Sequence, residues 1–195
     1  MKLIIASNNA HKLTEIKDIL GGMFEEILSM GEAGIDHETI EDGSSFMENA
    51  EKKAREIAEI SGCCAIADDS GICVDALDGA PGIYSARFCG RHGDDAANNR
   101  LLLEKLRDSD DRRAHYTCAI ALVRPDGSCV KAEGYMHGVI GFEEKGSNGF
   151  GYDPLFILPE RGGLTAAQIS PEEKNRISHR AQALHALLRE LGREE

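Results

Sequence analysis

The feature that most constrains this chain is an alternation of short apolar runs and helical patterns near its start. Leu3-Ile4-Ile5-Ala6 gives way to a polar turn, Ser7-Asn8-Asn9, and then to Leu13, Ile16, Ile19 and Leu20 at helical spacing, stopped by Gly21-Gly22. The first run is too short for a helix and reads as a buried strand. The second pattern reads as an amphipathic helix. The order then repeats. Ser45 and Glu48 form an S-x-x-E capping box. Ala50, Ala54, Ile57 and Ala58 supply an apolar face, and Ser61-Gly62 closes the helix. Cys64-Ala65-Ile66-Ala67 is the next buried strand, with Asp68-Asp69-Ser70-Gly71 following at its C-terminal end. Strands alternating with helices predict an α/β fold.

Asp95 to Leu106 reads as a third helix, after which the pattern changes. Tyr116 to Val123 is a long apolar strand, Pro125-Asp126-Gly127 a turn and Ser128 to Met136 a return strand. A hairpin makes the sheet mixed rather than all parallel. Leu155 to Leu158 is a further short strand. Ser170-Pro171-Glu172-Glu173 is another helix start, with Ser as cap and Pro at the first helical position. The last helix carries Leu184, Leu187, Leu188 and Leu191 on one face. No internal repeat, low-complexity tract or linker interrupts the chain. Its 195 residues suffice for one domain with a substantial core, or for two small lobes sharing a sheet.

Acidic residues outnumber basic ones by 34 to 22, so a nucleic-acid polyanion is repelled overall. A small anion is still admissible where lysines, backbone amides or a metal meet its charge. No segment is long and apolar enough to span a membrane. The apolar start is cut short by Asn8, Asn9, His11 and Lys12, so it does not read as a signal peptide, and a cytosolic location is expected. The six cysteines form no C-x-x-C pair and no zinc spacing; they are expected to be reduced thiols acting as small core residues.

Five segments carry chemistry. Ser7-Asn8-Asn9-Ala10-His11-Lys12 is a polar strand-to-helix turn whose free amides and dipole suit a phosphate. It lacks the Walker spacing, and taken alone it reads rather as an ordinary capped helix with a solvated lysine. Glu41-Asp42-Gly43 precedes the second helix, where Asn49 and Lys53, four apart, share a face; alone, this segment is uninformative. Asp68-Asp69 after a buried strand invites a hard cation that relieves their repulsion, or else forms an Asx-turn. Gly146-Ser147-Asn148-Gly149-Phe150-Gly151-Tyr152-Asp153-Pro154 offers ring faces between glycines for stacking on a flat base, or a hairpin loop with inward-turned rings. Lys174, His179 and Arg180, in Glu173 to Arg180, are donors suited to a keto oxygen, or a solvated basic helix start.

Taken together, these segments resemble the inosine triphosphate/xanthosine triphosphate pyrophosphatase family. The matching stretches are SNNAHK (7–12), EDGSSFMENAEKKA (41–54), ADDSGICVDALDGAPGIYSARF (67–88), GSNGFGYDPLF (146–156) and EKNRISHR (173–180). They run in order over nearly the whole chain. The resemblance implies a long curved mixed sheet flanked by helices, two lobes with the active cleft between them, and a homodimer. It implies hydrolysis of the deaminated purine nucleoside triphosphates ITP, dITP and XTP to the monophosphate and pyrophosphate. It places Mg2+ on Glu41 and Asp69 and makes Asp69 the acid–base residue, with Asp68 beside it. Ser7, Asn8, Asn9, Ala10, His11, Lys12, Lys53 and Ser70 would hold the triphosphate. Phe150, Gly151, Tyr152 and Asp153, with Lys174, His179 and Arg180, would hold the nucleoside and read the base.

The chain has Ala167-Gln168 where many members have Ala-Glu, and His11 stands where glycine is also common. Neither change removes a site residue. Three rival readings are a pyrophosphatase of modified pyrimidine nucleoside triphosphates, a nucleotide sensor without catalysis and a nucleic-acid-binding module; the paired carboxylates speak against the sensor, and the acidic balance and lack of a basic stripe against the module.

Overall fold

In the computed structural model, which describes residues 1–192, the expected parallel pairing is present at the N-terminus. Strand β1 (Lys2–Ile5) leads through a turn into helix α1 (Ala10–Leu20) and then into β2 (Glu26–Ser29), which pairs parallel to β1. The sequence reading missed β2, whose four residues carry too little pattern to separate from a loop. Helix α2 (Phe46–Ser61) follows a long loop and returns the chain to β3 (Cys64–Val74), which pairs parallel to the other edge of β1. Next come α3 (Asp95–Lys105), β4 (Arg113–Val123) and β5 (Cys129–Ile140). The chain ends through β6 (Phe156–Leu158), β7 (Leu164–Thr165), α4 (Pro171–Ile177) and α5 (His179–Leu191). The seven strands are ordered β2-β1-β3-β4-β5-β6-β7, with β5, β6 and β7 antiparallel in turn, so the sheet is mixed.

One boundary differs from the sequence reading in a way that matters for the site. The strand expected to stop at Ala67 continues through Asp68, Asp69 and Ser70 to Val74. A run of Asp-Asp-Ser-Gly has turn composition, and strand pairing overrides it here. The carboxylates are therefore inside a strand, where successive side chains point to opposite faces.

The caps behave as their residue types require. Ser45 Oγ accepts from Glu48 N at 3.2 Å, and Gly62 closes α2 in the left-handed conformation at φ 64°. The Glu48 carboxylate accepts from Ser44 N and Ser44 Oγ, both at 2.7 Å, and the Ser45 backbone amide adds to its stabilisation. Ser170 Oγ caps α4 by accepting from Glu173 N at 3.1 Å.

The chain divides into two compact units. Unit 1 comprises Met1–Asp69, Cys118–Gly134 and the segment from His179 onward; unit 2 comprises Ser70–Thr117 and Tyr135–Ser178. Unit 1 holds two cores. In one, Leu3, Ile5, Cys64, Ile66, Cys118 and Ile120 pack with Ile16 and Leu20 of α1 and Leu184 and Leu187 of α5. In the other, Ile4, Ala65, Ala67, Ala119 and Ala121 pack with Ala50, Ala54, Ile57 and Ala58 of α2. Odd and even strand residues separate into the two faces, as a strand covered on both sides requires. Unit 2 has its own core, in which Ile72, Val74, Tyr116, Met136, Ile140, Tyr152 and Phe156 surround Leu102 and Leu106. The six cysteines are free thiols, but only Cys64 and Cys118 are buried core residues, the other four being partly exposed; no helix among the described residues is long and apolar enough to cross a membrane.

At Gly134 the backbone of α5 lies directly on β5: a Cβ there would collide with the His179 carbonyl oxygen and the Ala183 nitrogen. Backbone cannot swing aside as a side-chain tip can. Gly134→Val is expected to cost about 1–3 kcal/mol, towards the upper end, read as a lower urea midpoint at unchanged slope. An unchanged midpoint would show that α5 lifts off without cost.

Candidate functional site

Asp68 and Asp69, adjacent in β3, take opposite faces of unit 1 and meet different partners. Asp68 follows Cys64 and Ile66 onto the face covered by α1 and α5. There Arg180 donates to Asp68 Oδ2 from Nε at 3.1 Å and Nη2 at 3.0 Å, and Lys12 Nζ lies 3.0 Å from the same oxygen. The other side of the guanidinium, Nη1, donates to Glu15 Oε2 at 2.7 Å. Arg180 is 1% exposed and Asp68 3%. Burial pushes the Asp68 carboxyl up, but Lys12 and Arg180 outweigh it and hold the group well below the usual carboxylate range. Burial likewise weighs against the charged Arg180, and Asp68 and Glu15 raise its affinity for its proton above the ordinary value.

Asp69 follows Ala65 and Ala67 onto the α2 face. Its Oδ2 accepts from Asn49 Nδ2 at 3.0 Å, and its Oδ1 lies 3.7 Å from Lys53 Nζ. The same ammonium donates to Glu41 Oε1 at 2.7 Å. Glu41 stands on the loop before α2, and Asn49 and Lys53 one turn apart in that helix, so the loop, the helix and β3 converge on one cation position. Burial raises the Asp69 carboxyl above its ordinary value; Lys53 and Asn49 oppose the rise and Glu41 adds to it. Burial works against the Lys53 ammonium, yet Asp69, Asp68 and Glu41 prevail and raise its pKa, so it stays charged. The expectation of two side-by-side carboxylates repelling each other is thus corrected. The pair that shares a cation position is Glu41 and Asp69, with Asp68 on the far face.

These residues fit a hard cation. Two oxygen donors already face a positive charge, and magnesium commonly takes one or two carboxylates and completes its shell with water and substrate phosphates. Among the described residues no group of three His, Cys, Asp or Glu side chains forms a closed metal cage.

The Ser7 to Lys12 turn is built largely from its own side chains. Asn9 N donates to Ser7 Oγ at 3.1 Å, and Lys12 N donates to Asn9 Oδ1 at 3.3 Å, which makes Asn9 the cap of α1. Asn8 Oδ1 accepts from Gly31 N at 3.1 Å. Ala10 opens the helix, and the side chain of His11 lies outside the described residues. Ser70 continues β3 and is half-buried.

Unit 2 holds the second cluster, centred on Asp153, which is 2% exposed. Its Oδ2 accepts from Phe150 N at 2.9 Å and from Lys174 Nζ, while Tyr116 donates its hydroxyl to Oδ1 at 3.3 Å. Lys174 Nζ also lies 4.6 Å from the centre of the Phe150 ring, a cation–π contact. Gly149, at φ +76°, has to be glycine, because a Cβ there would strike the Asp153 carboxylate. Phe150 keeps an exposed ring. Tyr152 does not: it is buried in the core and donates its hydroxyl to the Ser85 carbonyl at 2.8 Å. Of the two rings expected to offer faces for stacking, one does.

Sequence reasoning missed several partners. Asp95 Oδ2 accepts from Gly151 N at 2.8 Å, and Asn99 Nδ2 donates to the Gly151 carbonyl at 3.2 Å. The first two turns of α3 therefore hold both polar groups of the residue after Phe150. Their i, i+4 spacing was the available signal, but nothing local says which loop they face. Glu15, three residues after Lys12, gave a similar unread signal. Arg180 and His179, expected as open donors, are both buried at the start of α5, and Arg180 is committed to Asp68 and Glu15.

Comparison with known proteins agrees over the whole chain. The model of the Ham1 family matches residues 3–190. A curated relative from Exiguobacterium sibiricum, named dITP/XTP pyrophosphatase, is 51% identical over 189 residues, covering 96% of this chain and 95% of the relative. The Ham1 protein of Staphylococcus aureus superposes with a TM-score of 0.91 at 40% identity over 100% of both chains. A structure from Mycobacterium abscessus, described as a nucleoside-triphosphatase / dITP/XTP pyrophosphatase, gives 0.80 at 47% identity, covering 96% of this chain and 99% of its own.

Proposed function

This chain belongs to the Ham1 family, and from that premise we propose that it is a nucleoside triphosphate pyrophosphatase acting on deaminated purine nucleotides. It hydrolyses ITP, dITP and XTP to the nucleoside monophosphate and pyrophosphate, and so removes them from the nucleotide pool. The observation that carries the mechanism is the convergence of Glu41 and Asp69 on one cation position, marked by Lys53 Nζ.

In this reading Glu41 and Asp69 would hold Mg2+, which when bound would neutralise charge on the phosphate oxygens. The chain's own residues do the rest. Asp69, buried in β3, orients the attacking water and accepts its proton as the water oxygen bonds to the α-phosphorus and the bond to the pyrophosphate oxygen breaks. Lys12 and Lys53 add fixed positive charge. The start of α1, from Ala10 through His11, suits phosphate oxygens, with Ser7, Asn8 and Asn9 shaping that turn and Ser70 contributing a hydroxyl. In unit 2, Phe150 offers its ring to the base, Gly151 and Asp153 shape the loop beneath it, and Tyr152 braces that loop through Ser85. Lys174 is the donor for the 6-keto oxygen of hypoxanthine or xanthine. Adenine carries an amino group there and would leave a buried donor facing a donor. Arg180, at the start of α5 in unit 1, ties Asp68 to Glu15 beside Lys12, and His179 is buried at the same helix start.

The same reading carries a homodimer, on the resemblance of the motifs, and a cytosolic location, which the free thiols suit. Nucleic acid and membranes are not partners, in keeping with the net charge of −12. Pyrophosphate release measured on ITP, dITP, XTP, GTP, ATP, dUTP and UTP, with and without Mg2+, tests the assignment. Strong turnover of the three deaminated purines, dependent on Mg2+, is expected; preference for dUTP or UTP would overturn it. Lys174→Met should lower kcat/KM for ITP by roughly 10–100-fold, the worth of one charged hydrogen bond, while changing the slow reaction with ATP little. An equal loss on both nucleotides would remove Lys174 from base recognition.

A further inference from the structure

We propose that Asn49 is a positioning residue for hydrolysis, fixing which oxygen of Asp69 faces the cation position and tying the Glu41 loop to it. The inference rests on the assignment of Asp69 and Glu41 made above and names a residue that assignment does not contain.

Asn49 is 0% exposed, on the α2 face otherwise made of Ala50, Ala54, Ile57 and Ala58. A carboxamide buried on an alanine-rich face is costly unless its polar ends are satisfied. Both are. Asn49 Oδ1 accepts from Gly43 N at 2.9 Å, and Nδ2 donates to Asp69 Oδ2 at 3.0 Å. A backbone amide can only donate, so Gly43 dictates the orientation of the carboxamide and obliges Nδ2 to face Asp69. The Asp69 carboxylate is thereby turned with Oδ2 on the amide and Oδ1 towards Lys53 and Glu41. Gly43 lies two residues after Glu41, so one side chain sets the rotation of one carboxylate and the height of the loop bearing the other. The fit at Gly43 is close: a Cβ would lie 2.7 Å from Asn49 Oδ1 and 2.9 Å from Glu48 Cβ. A structural cap would need only one of these bonds. An amide that spans two segments and ends on a carboxylate at a cation position sets geometry.

The test compares Asn49→Ala and Asn49→Asp with the native enzyme. The Asp variant keeps the shape and loses the donor. Both should lower kcat for ITP by roughly 10–100-fold with much less change in KM, and weaken Mn2+ binding to the substrate-free protein, followed by titration calorimetry, by a similar factor. Native kcat together with native Mn2+ affinity in a folded Asn49→Ala protein overturns the proposal, and so does an effect confined to KM. Should both variants fail to fold, Gly43→Ala decides on the same two readouts, since it presses on Asn49 Oδ1 and leaves both carboxylates in place. Asp69→Asn is measured alongside. Sustained turnover there refutes the underlying role of Asp69, whereas a dead Asp69→Asn beside a native-like Asn49→Ala refutes this inference alone.

Discussion

Asp69→Asn is expected to abolish measurable pyrophosphate release from ITP while the protein stays folded. Loss of a positioned acid–base group costs roughly 100- to 10,000-fold, and here the same change would also remove one of two oxygen ligands to the cation. Stability is expected to hold for a specific reason. Burial raises the Asp69 carboxyl above its ordinary value. A raised acid contributes stability below its unfolded pKa and loses that contribution as pH rises through the folded value. At neutral pH the ionised carboxylate therefore weighs against folding, and a neutral amide of the same shape relieves that. The carbonyl oxygen of the substituted amide would still accept from Asn49 Nδ2. The urea midpoint should match or exceed the native one. Near-native turnover in the folded variant would end the assignment of Asp69.

Arg180→Met is expected to produce the largest loss of stability of any single change considered, about 3–5 kcal/mol. For a chain of this size that is roughly a 6–20 °C fall in Tm. The guanidinium is fully buried and bonds Asp68 and Glu15 at once. Removing it strands two carboxylates on an apolar face, with Lys12 left to answer one of them. The pH dependence has a definite sign. The folded Asp68 carboxyl is held below its unfolded value, so its contribution is complete above the ordinary carboxylate range and is lost as pH falls through the folded value. The gap between native and variant should narrow in acid. If Arg180→Met keeps the native Tm and instead raises KM for ITP, the residue is an open donor to substrate and its role as a buried tie fails.

The elements of this fold were readable where the signal was local. Ser45, Gly62 and Ser170 cap the helices their spacing announces, because a cap needs only the few residues around it. The apolar stripes of α1, α2 and α5 and the hairpin at Pro125-Asp126-Gly127 were legible for the same reason. The segments that carry the family resemblance were legible too, since Glu41, Lys53, Asp69, Phe150, Asp153 and Lys174 lie in its matching patterns. Other features were not. Asp68 and Asp69 looked like a turn after a strand and are in fact the middle of one. Tyr152 looked like a partner to Phe150 and is a core residue bonded to Ser85.

The amino-acid order alone determined the helices, their caps, the mixed character of the sheet and the set of side chains able to carry phosphate and purine chemistry. Those properties depend on backbone propensity and on side-chain types a few residues apart. Tertiary structure alone decided the division of labour between neighbours: Asp68 to Arg180 and Lys12, Asp69 to Asn49 and Lys53, Asp95 and Asn99 to Gly151. Each of these bonds joins segments far apart along the chain. Which face of a strand a carboxylate takes, and which helix waits there, is set by pairing register and packing, and neither is written in any local run of residues.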